Sequence, residues 1–258
     1  MQLEAFLFVN WIFWAALTAG TILVVGVTDV LGGTTHGYRL FMAALVAVLA
    51  VILVLSELSL PSGTAASGGA DLRRAFVIGL GSLAYLAASI WRWGPRGWLA
   101  VATGTLGLAA LVVLAVAGGT RSGPIFAGQL VLASLALGSV FAAMLLGHWY
   151  LVTPKLSPTP LRRMMWLLLV ALGLQAIGFV VAIGIVGTSP IEGGVAWLTW
   201  LRLGVGILLP IAVTVLAILA SGAASLQAST GLLYIGLALI MAGSIAGASL
   251  SYLTGVPV

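Results

Sequence analysis

The sequence predicts an all-α, polytopic integral membrane protein with eight transmembrane helices arranged as two four-helix bundles. Three observations predict this class. Of the 258 residues, 62% are hydrophobic and only 6% charged, with a mean hydropathy of +1.26; a soluble domain of this size could not keep so much apolar surface from water. The apolar residues fall into runs near the ~20 residues that a helix needs to cross a bilayer. The breaks between runs are short and rich in Gly, Pro and Arg, so nothing is left over for a soluble domain.

The runs cover about 6–31, 39–60, 74–92, 98–118, 124–152, 163–187, 195–220 and 228–254. Gly32, Gly33, Thr34 and Thr35 close the first, and Pro61, Ser62 and Gly63 close the second. Gly63–Asp71 reads as a low-complexity Ala/Ser/Gly linker. Gly94 and Pro95 divide the third run from the fourth. Between the fifth and sixth, Pro154, Pro158 and Pro160 forbid a continuous helix. Pro210 should kink the seventh and free a carbonyl near Gly206. The first run follows no basic n-region and is too long for a signal-peptide core, so it is expected to stay as the first helix.

The second half of the chain resembles the first. Leu17-Thr18-Ala19-Gly20-Thr21 matches Leu135-Ala136-Leu137-Gly138-Ser139 in spacing, and Ala102-Thr103-Gly104 matches Ser229-Thr230-Gly231. Tyr38-Arg39-Leu40-Phe41-Met42 finds its counterpart in Arg162-Arg163-Met164-Met165. A tandem repeat of four helices each, 1–122 and 123–258, would run parallel about an axis along the membrane normal. Gly128, Ser134 and Gly138, and Gly243 with Gly247, are expected to let helix backbones approach closely.

Loops on one side carry Arg39, Arg92, Arg96, Lys155, Arg162 and Arg163, and those on the other carry Arg73, Arg74 and Arg121. The positive-inside rule makes the first side cytoplasmic and both termini extracytoplasmic. A bacterial-type inner (plasma) membrane is the expected location. The net charge of +5 serves orientation, with no pattern for nucleic acid. The absence of Cys excludes thiolate metal sites, iron–sulfur ligation and disulfides. No phosphate loop, His-Glu-x-x-His motif or Ser/His/Asp set is present, and five acidic residues are too few for a carboxylate metal site.

Ionisable groups inside a membrane are costly and therefore informative. Arg202 lies about 10 Å into the seventh run at 1.5 Å per residue, and Glu57 lies about one turn from the outer end of the second. Asn10 and Gln129 fall at a similar depth. Asn10, Glu57, Gln129 and Arg202 are therefore expected to cluster, with Glu57 and Arg202 as a candidate buried pair. The readings are a polar pocket for a quinone head group, ion or small solute, a structural ion pair, or an Arg202 that snorkels to the interface under its Trp neighbours. Gln175, in mid-run, is expected to make an interhelical hydrogen bond.

Gly147-His148-Trp149-Tyr150 is the most distinctive string. It suits an interfacial belt, or His148 serves as a haem ligand, proton shuttle or quinone hydrogen-bond donor. His36 lies in a glycine-rich loop on the same face, which is poor geometry for a bis-histidine haem, so haem is not expected. Trp11, Trp14, Trp91, Trp93, Trp98, Trp149 and Trp166 read as aromatic belts near helix ends.

Trp11-Ile12-Phe13-Trp14-Ala15-Ala16-Leu17-Thr18-Ala19-Gly20-Thr21 resembles the opening of the NrfD-like membrane subunits of polysulfide-reductase-type complexes. Glu57-Leu58-Ser59-Leu60-Pro61 resembles that family's Asp-Leu-Gly-Arg-Pro helix end, with Gly and Arg replaced. The resemblance implies a haem-free, quinone-binding subunit of an electron-transfer complex that docks partner subunits, with Asn10 and Glu57 near the quinone. The chain as a whole is expected to bind quinone or lipid and to anchor partner subunits. A small secondary transporter, with a solute site between the bundles, and a purely structural or assembly subunit are the alternative expectations.

Overall fold

The computed structural model describes residues 2–60, 70–117, 123–153, 156–187, 191–223 and 225–254, and among these the chain is all-helical, with no strand. The helices are α1 (Gln2–Leu31), α2 (His36–Leu58), α3 (Ala70–Ile90), α4 (Arg96–Ala117), α5 (Gly123–Val152), α6 (Thr159–Val186), α7 (Ala196–Gly222) and α8 (Leu226–Thr254). Seven are long and apolar enough to cross a membrane, and α3 adds the shorter apolar stretch Ala75–Ile90. Each apolar run of the sequence coincides with one of these helices, and the whole is consistent with a multi-pass membrane protein. Most of the Gly63–Asp71 linker lies outside the described residues, as do Arg121 and Lys155.

Local chemistry explains the helix ends. Gly32 and Gly33 take φ of +72° and +93°, a left-handed turn that residues with a Cβ rarely adopt. The Thr35 hydroxyl then accepts the Tyr38 N–H at 3.2 Å and caps α2. His36 is therefore the first residue of α2, not a loop residue as the glycines around it suggest. Pro160 stands in the first turn of α6, where its missing N–H costs nothing.

α1 is the central helix, with 78% of its apolar window buried against 28% for those of α7 and α8. It packs on α2 and α4, and also on α5 and α8. The chain further pairs α2 with α3, α3 with α4, α5 with α6, α6 with α7, and α8 with both α5 and α7. Glycine permits the closest crossings. A Cβ on Gly20 would run into the Ser134 carbonyl, and one on Gly138 into the backbone of Gly20. Between α1 and α4, a Cβ on Gly104 would stand 2.6 Å from the Leu23 backbone nitrogen. With no hydrophobic drive between helices in lipid, this backbone contact supplies much of the packing energy. Gly128, expected among the packing glycines, has nothing within 4 Å of its Cβ direction and takes no part.

α7 is interrupted by a π-helical turn over Gly204–Leu208, just before Pro210. The Leu209 N–H reaches the Gly204 carbonyl across this wider turn. The irregularity expected at Pro210 is thus taken up one turn earlier, where Gly206 lies against Gly243 of α8.

At one end of the molecule α1 meets α8: the rings of Phe8 and Tyr252 are 5.4 Å apart. The loop cations gather at the other end. Arg39 Nη1 lies 2.9 Å from Asp29 Oδ1 and Arg96 Nε 3.1 Å from Asp29 Oδ2, with the Asp29 side chain only 3% exposed. Arg162 donates to the Ser221 hydroxyl at 3.3 Å, and Arg163 to the Leu31 carbonyl at 3.4 Å.

Candidate functional site

The expected cluster of four polar residues divides over two sides of α1. Trp11 and Ala15 on one side wall a small cavity with Glu57, Leu53 and Ala75. Ile12, Phe13 and Ala16 on the other wall a chamber with Gln129 and Arg202. The Glu57–Arg202 pair does not form: α1 stands between them, and among the described residues no carboxylate lies within 4.0 Å of Arg202. Similar depth in the sequence does not imply a shared helix face.

Asn10 sits at the end of the molecule where the terminal helices meet. Its Oδ1 accepts the Trp14 indole N–H at 3.0 Å, and its Nδ2 donates to the Ser56 hydroxyl at 3.4 Å. The indole fixes which way the amide faces, because it can only donate. Beside Asn10 a groove of about 240 Å³ runs between α1 and α8, walled by Phe6, Val9, Phe13, Ser249 and Tyr252. Its walls are mainly apolar and aromatic, with a few polar groups, the usual make-up of a small-molecule site.

The second chamber, of about 40 Å³, shares Phe13 with the groove and is lined by Arg202, Gln129 and Ser244. Arg202 is 3% exposed, and its Nη2 donates to Gln175 Oε1 at 2.6 Å. Gln175 in turn donates Nε2 to the Leu132 carbonyl at 3.0 Å, so it ties α7 to α5 through α6. The interhelical bond expected of Gln175 is present, and it orients the guanidinium as well. Arg202 Nε, both polar atoms of Gln129 and the Ser244 hydroxyl are buried without a hydrogen-bond partner among the described residues. Gly247 makes room for this arginine, since a Cβ there would stand 3.2 Å from Arg202 Nε.

Gly147-His148-Trp149-Tyr150 serves four separate ends. Gly147 admits the Thr230 side chain, and Trp149 stacks on Phe41 with centroids 6.1 Å apart. The Tyr150 hydroxyl donates to the Ser157 carbonyl at 2.8 Å and pins the chain leaving α5. His148 is exposed, with Nδ1 3.4 Å from the Tyr234 hydroxyl. His36 keeps other company, close to Arg92, Arg39, Arg96 and Asp29. Among the described residues no three of His, Cys, Asp and Glu stand close enough to share a metal ion.

The tryptophans also divide. Trp91, Trp93, Trp98 and Trp166 are exposed as a belt requires, whereas Trp11 is buried and Trp14 is turned inward to Asn10. Helical periodicity puts positions 11 and 14 on the protein side of α1. Two residues of consequence escaped the sequence reading, Asp29 and Ser244. Asp29 had a legible signal: it is an acid at the end of an apolar run, ten residues before Arg39. Ser244 had none, being one of many small residues in α8.

No family model, curated protein or solved structure matches this chain.

Proposed function

We propose that the chain is an integral membrane subunit of an electron-transfer complex, haem-free, which holds a quinone head group in the groove between α1 and α8 and anchors partner subunits. The observation that carries this reading is the Asn10 amide, held by the Trp14 indole beside an aromatic groove of about 240 Å³. A quinone offers a carbonyl that accepts an N–H and a flat ring that packs between Phe6, Phe13 and Tyr252. The NrfD-like opening of α1 supports the same reading, as does the small share of the described residues that lies outside the helices. His148, turned outward against Tyr234, and His36, beside the arginines, speak for the haem-free form.

In this reading the helices form two four-helix units, α1–α4 and α5–α8. The meeting of Gly20 with Gly138 supports the repeat, because equivalent residues approach each other about a parallel two-fold axis. Gathering of Arg39, Arg96, Arg162 and Arg163 at one end supports a cytoplasmic assignment for that end, with both termini on the opposite side of a bacterial-type inner membrane.

Solvent extraction of the protein purified in mild detergent should yield bound quinone. Asn10→Leu should weaken binding about tenfold, the value of one hydrogen bond. A purified chain that carries no quinone and takes none up from quinone-loaded nanodiscs sinks the reading. One observation favours a small secondary transporter instead: the π-helical turn after Arg202 is a local irregularity of a spanning helix beside a buried cation, and such turns recur at functional sites. Solute flux in proteoliposomes containing this chain alone would decide for it.

A further inference from the structure

The chamber lined by Arg202, Gln129 and Ser244 is distinct from the quinone groove, and its chemistry differs. Arg202 is a cation in the interior of an apolar protein, and among the described residues its hydrogen-bond partner is the neutral Gln175. Elsewhere in the molecule the buried charge of Asp29 meets two opposite charges. A buried charge without a counter-charge is expensive, and more so at membrane depth. The surroundings show what is missing. Arg202 Nε, the Gln129 amide and the Ser244 hydroxyl are all buried and unpartnered, and all three residues line the same chamber. Native interiors leave few such groups, so a convergent set marks a place for a bound species.

That species is negative, because the set is one cation with donors from three side chains. It is also small. The chamber has about 40 Å³ of space, where a water needs ~10–15 Å³, so it suits a compact ion. A monatomic anion fits this space with less rearrangement than sulfate, phosphate or a carboxylate-bearing molecule. The room is made by backbone. The close approach of Gly206 and Gly243 brings α7 against α8, and Gly247 lacks the Cβ that would crowd the guanidinium. We propose that this chamber binds a single halide ion, chloride under cellular conditions, as the counter-charge of Arg202. The inference is independent of quinone binding in the neighbouring groove.

The full-length chain in detergent, exchanged into gluconate, should bind radioactive chloride saturably at one site. Bromide should compete, whereas sulfate at equal ionic strength should not. Titration with chloride should raise the unfolding temperature along the same curve. Arg202→Gln should weaken binding by roughly tenfold or more, and Ser244→Ala by about fivefold, in line with the loss of a charged or a neutral hydrogen bond. Absence of saturable halide binding by the wild type overturns the proposal, as does unchanged binding in a folded Arg202→Gln variant. Should that variant fail to fold, the anomalous signal of bromide in wild-type crystals decides: a peak beside Arg202 Nε supports the site, and a peak elsewhere overturns it.

Discussion

Asp29 and Arg202 are both almost fully buried charges, set toward opposite ends of the helices, and the fold treats them differently. Asp29 is held by Arg39 from α2 and Arg96 from α4, so one carboxylate fastens three helices. Among the described residues Arg202 is held by Gln175, and its Nε lies without a partner beside a chamber lined by other orphaned polar groups. The contrast separates a charge used to build from a charge kept available. Burial alone does not distinguish them; the partners do.

Mutations can break this contrast, and the largest effect belongs to the fastener. Asp29→Asn leaves two arginines facing each other without a carboxylate and should cost about 3–5 kcal/mol, as loss of one partner from a buried ion pair does. Thermal unfolding in detergent would report it, and a loss below that of an ordinary surface change would mean the clamp is ornamental. Gln175→Leu should come next, at about 1.5–3 kcal/mol, because it strips Arg202 of its charged hydrogen bond and frees the Leu132 carbonyl.

Arg202→Met should be far milder. In halide-free buffer its stability should lie within about 1 kcal/mol of the wild type, since relief of an uncompensated charge offsets the acceptor left on Gln175. A loss as large as that of Asp29→Asn would erase the distinction between the two charges. His148→Ala, on the exposed side of α5, should change stability by less than about 0.5 kcal/mol, and circular dichroism melts would resolve anything greater.

Much of the fold was legible because the bilayer is an undemanding solvent to read. Every spanning helix must be apolar over its length, and each break must hold Gly, Pro or charge. Gly138 was legible as a packing position, since small residues at regular spacing foretell close crossings, whereas Gly20 was legible only as its counterpart in the repeat. The site was less legible. Gln129 and Arg202 do share a chamber, yet Asn10 and Glu57 went to other faces of α1 and α2. Depth along a helix can be counted from its end, whereas azimuth depends on which neighbour each face meets. Trp11 and Trp14 show the same limit, being near the helix end as a belt requires but turned inward.

The sequence by itself determined the helical spans, the breaks, the excess of cations on one side and the types of residue that do not belong in hydrocarbon. These follow from local chemistry: hydropathy over a run, proline's missing donor and glycine's freedom at Gly32 and Gly33. Tertiary structure alone decided that α1 would be the central helix, that Asp29 would meet Arg96 across 67 positions of chain, and that Arg202 would face Gln129 rather than Glu57. Lipid rewards any apolar face equally, so the choice of helix neighbours falls to backbone fit at a few glycines. That fit is a property of surfaces in three dimensions, and no single run of residues contains it.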